Sequence, residues 1–208
     1  MADLILASAS PRRQELIRTF GIPYQILPVD TDETTSGPIA ERVVALARRK
    51  AMRASTILKD PLLCTEAELK YRNSIRLTDE KVCILGVDTL VGRGEDILGK
   101  PADLAQAREM LRLLQDSWHE VLSGICLTEM HSGETFTHCE ITRVHFTPMT
   151  NRDIDYYFSL DNPLDKAGAY GIQSGAGLFI DRIEGCYYNV VGFPLSAVRS
   201  MLSRYFVF

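Results

Sequence analysis

Residues 4–21 read LILASASPRRQELIRTFG, and this stretch decides the fold. Leu4-Ile5-Leu6-Ala7 is a short continuous apolar run, the pattern of a strand buried on both faces. Ser8 and Ser10 make a polar turn. Pro11 suits the first position of a helix whose N-cap is Ser10, Leu16, Ile17 and Phe20 supply its apolar residues, and Gly21 stops it. A buried strand running straight into a helix is a building unit of α/β folds.

The alternation continues outward. Tyr24–Leu27 reads as a second short strand, and residues 30–38 form a polar, acidic loop. Residues 39, 43, 44, 46, 47, 51, 54, 57 and 58 are apolar at helical spacing, with Arg42, Arg48, Arg49, Lys50 and Arg53 among them. The polar stretch 60–80 reads as a surface insertion in which Glu66–Tyr71 fits a helical turn or two. Val82–Val91 is apolar almost throughout and predicts a central strand, followed by a turn and a short hairpin strand at Ile97-Leu98. Asp103 caps a helix over Leu104–Leu114. His119–Met130 and Glu134–Phe146 predict two long strands around His131-Ser132-Gly133. Thr150 opens a helix through Leu160, Asp165–Gln173 is Gly-rich, Leu178–Ile183 is a strand, and Pro194 opens a last helix to about Tyr205. With no repeat and no linker, the pattern predicts one mixed α/β domain over residues 1–208, in two lobes.

Composition narrows the function classes. The chain has 208 residues, 46% apolar and 24% charged, which excludes a disordered chain. Its 23 basic and 27 acidic side chains leave a net charge of −4, against general nucleic-acid or anionic-membrane binding. No apolar run approaches the roughly 20 residues of a membrane span. Cysteines 64, 83, 126, 139 and 186 form no CxxC pair and read as reduced thiols, and the N-terminus lacks a signal-peptide pattern; both predict a cytoplasmic protein.

Five groups of residues can carry chemistry. Ser8-Ala9-Ser10-Pro11-Arg12-Arg13 gathers hydroxyls, guanidiniums and helix-start N–H groups, a set suited to phosphate; a capped helix with solvated arginines is the alternative. Asp30-Thr31-Asp32-Glu33-Thr34 clusters carboxylates that suit Mg²⁺ or Mn²⁺, or form a solvated loop. Asp88 in Gly86-Val87-Asp88-Thr89 is a carboxylate inside an apolar strand, where metal ligation, general-base work or a backbone partner would keep it. Lys100, between Gly99 and Pro101, can point at an anion. In Asp165-Lys166-Ala167-Gly168-Ala169-Tyr170-Gly171-Ile172-Gln173, small residues allow close backbone approach, and Lys166 and Gln173 offer a charge and an amide that can read a base edge. Neither GxxxxGK[ST], GxGxxG after the first strand nor GxSxG occurs. His119, His131, His138 and His145, with Cys126 and Cys139, match no zinc spacing. Cations, carboxylates and a candidate base together suit metal-assisted hydrolysis of a nucleotide phosphate.

SASPRR, DTDET, LARRKA, GVDTLV, GKP, DKAGAYGIQ and NVVGFPL, in that order from Leu4 to about Leu195, resemble the Maf family of nucleoside triphosphate pyrophosphatases. The resemblance implies a mixed sheet with flanking helices and two lobes around a central cleft, similar to inosine triphosphate pyrophosphatase. It implies hydrolysis between the α- and β-phosphates of a nucleoside triphosphate with a divalent metal, Mg²⁺, Mn²⁺ or Co²⁺. On that pattern Asp88 activates water and is also a metal ligand, Glu33 is a metal-linked acid, and Ser8, Arg13, Lys50 and Lys100 hold the triphosphate. Arg12, Thr89 and Gln173 match the branch that hydrolyses dTTP and UTP, with modified pyrimidine nucleotides as further substrates. A 7-methyl-GTP or other purine nucleotide pyrophosphatase is the rival within the class. A low-turnover nucleotide-binding regulator of cell division is the rival outside it. A homodimer is compatible with the resemblance. Val87 stands where the family usually has Ala, Ser123 where Thr is common, and Phe193 where Leu is usual, and residues 60–80 exceed the usual connection.

Overall fold

A computed structural model describes residues 2–78 and 81–208 of the chain; residues 79–80 of the 60–80 insertion lie outside the described residues. The N-terminal apolar run forms β1 (Ala2–Ala7), and Pro11 opens α1 (Pro11–Leu16). The helix tightens into a 3₁₀ turn over Ile17–Phe20, and Gly21 closes it in the left-handed region at φ 65°. Ser10 occupies the N-cap position, yet its side chain makes no capping bond; its N–H instead donates to Ser8 Oγ at 3.2 Å.

β2 (Gln25–Ile26) follows, then a loop to α2 (Ile39–Lys59). The insertion is more helical than its composition suggests: after a 3₁₀ turn at Pro61–Leu63 comes α3 (Glu66–Ser74). This helix has only a weak apolar stripe. Its start is fixed by a reciprocal capping box between Thr65 and Glu68, and the Glu68 carboxylate also pairs with Arg53 of α2. β3 (Lys81–Arg93) turns antiparallel into β4 (Asp96–Leu98), and α4 (Leu104–Leu114) starts where Asp103 Oδ1 accepts from Gln106 N at 2.8 Å. β5 (Ser117–Glu129) and β6 (Thr135–Phe146) are the two long strands expected, and a Thr150–Asp153 capping box opens α5 (Asn151–Leu160). Short 3₁₀ turns at Pro163–Asp165, Ala167–Ala169 and Gly175–Phe179 precede β7 (Ile180–Glu184), which starts two residues later than expected. A short helix that the sequence did not announce, α6 (Tyr187–Val191), ends at Gly192, and α7 (Leu195–Leu202) stops before Tyr205.

The strands make one mixed sheet in the order β2-β1-β3-β5-β6-β7, with β4 beside β3. β1 runs parallel to β2 and β3, pairing Leu6 with Leu85 and Ala7 with Gly86; β6 and β7 are antiparallel. The mixed sheet and flanking helices are the α/β class expected from the alternation.

Two compact units divide the chain. The first holds the residues up to Asp88, Gly124–Cys139 and Leu195–Phe208; the second holds Thr89–Ser123 and Glu140–Pro194. Three of the four boundaries fall within β3, β5 and β6, and the fourth lies between Pro194 and Leu195. In the first unit Ile5, Ala7, Leu27, Ile84 and Met130 pack with Ala47, Ala51, Ala54 and Ile57, the buried stripe of α2. In the second, Leu111, Leu114, Val144, Phe146, Ile154 and Tyr157 form the core. Among the described residues no helix is long and apolar enough to cross a membrane.

Two glycines let α2 lie directly on the strands of the first unit. A Cβ placed on Gly86 would stand 2.2 Å from the Ala47 carbonyl oxygen, and one on Gly124 would stand 2.2 Å from that of Val43. Only residues without a side chain allow backbone to approach backbone this closely.

Candidate active site

The seating of α2 determines what meets Asp88. Gly86 and Asp88 are two residues apart on β3 and share a face. Lys50 lies one helical turn beyond Leu46 and Ala47, on the stripe that faces the strand. With Ala47 held against Gly86, the Lys50 ammonium reaches Asp88, and Nζ donates a short hydrogen bond to Oδ1. Both side chains are largely buried, at 14% and 11% exposure. Glu33 Oε1 lies 3.9 Å from the same Nζ, but its side chain is 69% exposed. The sequence placed these three residues in separate motifs; the first unit brings them around one ammonium.

The turn after β1 supplies the neighbours. Ser8 is buried and accepts from the Ser10 N–H, while Gln14 Nε2 donates to the Ser8 carbonyl at 3.2 Å. Arg13 Nη1 donates to the Val87 carbonyl at 2.8 Å, so the guanidinium is tied to the residue preceding Asp88. Burial lowers the Arg13 pKa; the charges of Asp88 and Glu33 oppose the shift and Arg12 adds to it. An arginine remains charged under any such shift met in water. Arg12 is partly exposed. The acidic loop is ordered by Asp32, whose Oδ1 accepts from Thr34 N at 2.8 Å, and by Arg42, whose Nε donates to Thr35 Oγ1 at 2.9 Å.

In the second unit Thr89 Oγ1 shares a 2.9 Å hydrogen bond with Ser123 Oγ. Lys100 is exposed just beyond β4. The adjacent Gly99 carbonyl accepts from Gly168 N at 3.0 Å, which joins the GKP turn to the Gly-rich loop. Gly168 itself has φ 69°.

Lys166 is buried, and its ammonium donates to Asp161 Oδ1 (2.9 Å), Asp165 Oδ1 (2.7 Å) and the Asn162 carbonyl (2.6 Å). An ammonium has three N–H donors, so this set engages all of them within its own loop. Asp161 also accepts from Ser174 Oγ and, at 3.4 Å, from Tyr157 Oη, which in turn accepts from Gly171 N at 3.2 Å. Burial pushes the Asp161 carboxyl up, but hydrogen bonds from Ser174 and Lys166 outweigh it and the pKa falls. The outcome is a braced loop that leaves Gln173 exposed between Gly171 and Ser174. The charge that the sequence offered at Lys166 is engaged by Asp161, Asn162 and Asp165 of its own loop, which is visible only once the loop is folded.

The other titratable candidates separate. His119 is buried, with Nε2 on Tyr170 Oη at 2.7 Å and Nδ1 without a partner. Burial, with smaller contributions from Arg93 and His145, lowers its pKa from 6.5 to about 3. His145 Nδ1 pairs with Asp181 Oδ1. Among the described residues no three His, Cys, Asp or Glu side chains gather as a metal cluster. Asp88 and Glu33 flank one cationic centre, the Lys50 ammonium, and carboxylate oxygens such as theirs are the donors that a hard divalent cation takes.

The sequence assigned no role of their own to Gly86, Gly124 or Asp161. A glycine inside an apolar strand two residues before a carboxylate is the signal that could have found Gly86. Asp161 carries no comparable signal.

A family model described as Maf-like protein matches residues 3–205. A dTTP/UTP pyrophosphatase of Clostridium botulinum is 40% identical over 205 residues, 97% of this chain and 96% of the relative. Proteins of the same name from Bacillus cytotoxicus (38% over 208 residues, 99% and 96%) and Bdellovibrio bacteriovorus (36% over 204 residues, 97% and 98%) are also similar. Among solved structures, a nucleoside-triphosphatase / dITP/XTP pyrophosphatase from Mycobacterium abscessus aligns at TM-score 0.38 and 11% identity, over 71% of this chain and 75% of that one.

Proposed function

The chain belongs to the Maf-like protein family, and on that premise we propose that it is a nucleoside triphosphate pyrophosphatase acting on dTTP and UTP. One observation carries the reading: near-full-length likeness, at 36% to 40% identity, to relatives named for that activity. The whole chain acts as one catalytic domain in this reading, since the family match runs over residues 3–205.

In the proposed reaction Asp88 accepts a proton from water as the water oxygen attacks the α-phosphorus. The bond from that phosphorus to the bridging oxygen of the β-phosphate breaks, leaving nucleoside monophosphate and pyrophosphate. Lys50 holds Asp88 Oδ1 and so fixes the carboxylate, whose second oxygen is the one assigned to water. Lys50, Arg13, Ser8 and Lys100 are assigned to the phosphates, where fixed positive charge stabilises the charge that develops on pyrophosphate. Arg12, Thr89 and Gln173 are assigned to pyrimidine selection: the Gln173 amide offers both a donor and an acceptor to a base that presents carbonyls beside an N–H. Lys166 contributes through the loop it braces.

Asp88 and Glu33 are the residues that would hold a divalent cation, Mg²⁺, Mn²⁺ or Co²⁺, together with phosphate oxygens. Such an ion, when bound, supplies charge neutralisation and Lewis acidity at those oxygens. Five free thiols support a place in the reducing cytoplasm.

The test is pyrophosphate release from a panel of dTTP, UTP, CTP, purine triphosphates and 7-methyl-GTP. Preference for dTTP and UTP is expected; preference for a purine would overturn the substrate, and absence of turnover would overturn the enzyme. Asp88→Asn, checked for folding by circular dichroism, should lose about 10²–10⁴-fold in kcat. Near-normal release by the folded variant would remove Asp88 from the base role.

A further inference from the structure

We propose that Arg49 is a positioning residue that aims Glu33 and acts on the reaction through it. The proposal rests on the reading of Glu33 as an active-site carboxylate. Glu33 sits in a loop without regular structure, and its side chain is 69% exposed while lying 3.9 Å from the Lys50 ammonium. A side chain so exposed has little packing to fix it, so its direction depends on how its backbone is held. Arg49 Nη1 donates to the carbonyls of Asp32 (2.9 Å) and Thr34 (2.6 Å), the residues on either side of Glu33. One guanidinium nitrogen carries two hydrogens, so a single terminal group grips both carbonyls. Charged donors make stronger hydrogen bonds than neutral ones.

The grip is in register with the rest of the site. Arg49 directly precedes Lys50 on α2, so the same helical turn presents the cation and pins the loop that carries its second carboxylate partner. Arg42, seven residues earlier and two turns along the same helix, holds Thr35 and continues the attachment. The Thr34 N–H donates to Asp32 Oδ1 and closes the loop between the two gripped carbonyls. An arginine beside a phosphate site is ordinarily taken for a phosphate ligand. Here the contacts of Nη1 are to main-chain carbonyls, and a role in geometry accounts for them.

The experiment compares the full chain with Arg49→Lys, Arg49→Met, Glu33→Gln and the double variant Arg49→Met/Glu33→Gln. Pyrophosphate release from dTTP with Mg²⁺, thermal melting, and hydrogen exchange over residues 30–36 are measured. Arg49→Met should lower kcat/KM about tenfold or more, because small misplacements of an active-site group are costly. Its Tm should stay within about 2 °C, as expected of an exposed substitution. Arg49→Lys should recover part of the loss, and exchange over residues 30–36 should accelerate in Arg49→Met. In the Glu33→Gln background Arg49→Met should cost less than about twofold, since coupled residues are not additive. An equal loss with and without Glu33, or unchanged exchange over residues 30–36, would overturn the proposal. Full activity in Glu33→Gln would instead overturn the reading of the site, and exchange would then report separately whether Arg49 holds the loop.

Discussion

Replacing Gly86 with Ala tests the link between the fold and the Lys50–Asp88 pair. The added Cβ would lie 2.2 Å from the Ala47 carbonyl oxygen and 2.8 Å from Ala51 N, where real Cβ atoms essentially never come within 3.0 Å. Both neighbours are helix backbone, so no rotamer change relieves the contact. α2 must lift by about 1 Å, at an overpacking cost of about 3 kcal/mol. For a chain of this size that corresponds to a fall of about 6–12 °C in Tm. Lys50, one turn along the lifted helix, loses its hydrogen-bond geometry to Asp88, and kcat should fall about 10²-fold even well below the new melting temperature. Thermal melting paired with steady-state pyrophosphate release from dTTP measures both effects. A variant that melted and turned over like the parent would refute the argument that Gly86 seats α2 and thereby aims Lys50.

His119 is neutral when folded because burial lowers its pKa from 6.5 to about 3, whereas in the unfolded chain it binds a proton below 6.5. Its buried neutral form therefore costs nothing above pH 6.5 and removes up to about 1.4 kcal/mol of stability per pH unit as pH falls from 6.5 toward 3. His119→Gln keeps a polar partner for Tyr170 and should flatten that part of the Tm–pH curve; an unchanged slope would argue against a buried neutral imidazole. Lys166→Met leaves Asp161 without its ammonium and should lower stability by about 3 kcal/mol in a denaturant melt, whereas unaltered stability would mean that the brace is dispensable. Gln173→Ala should raise KM for dTTP and UTP about tenfold with little change in Tm, as loss of one or two hydrogen bonds predicts; retained pyrimidine preference would release Gln173 from base reading. Removing divalent metal with EDTA should abolish pyrophosphate release, and added Mg²⁺ should restore it, with far-ultraviolet circular dichroism unchanged throughout; turnover in EDTA would exclude a metal requirement.

Local pattern made much of the fold legible. The apolar run before Ser8, the spacing along α2, the Asp103 and Thr150 caps and the two long strands are each set by residues close in sequence, and each appears where expected. Elements held by side-chain bonds rather than by an apolar stripe were harder to read. α3 depends on Thr65, Glu68 and Arg53, and the braced loop at residues 161–174 depends on Asp161, so neither shows a strong periodic signal. Candidate site residues were legible as residue types in motifs: a carboxylate in an apolar strand, an acidic loop, arginines at a helix start. Which of them meet was not, because Glu33, Lys50 and Asp88 are separated by 17 and 38 residues along the chain.

The sequence by itself determined the class of the fold, the family and the inventory of chemical groups, because periodicity, caps and ordered motifs are local properties of the chain. Tertiary structure alone decided that Lys50 meets Asp88, that Lys166 is taken up by its own loop, and that Arg49 grips the backbone around Glu33. These depend on how closely one backbone lies on another. In the first unit that distance is set at Gly86 and Gly124, where the absence of a side chain brings a helix down onto the sheet.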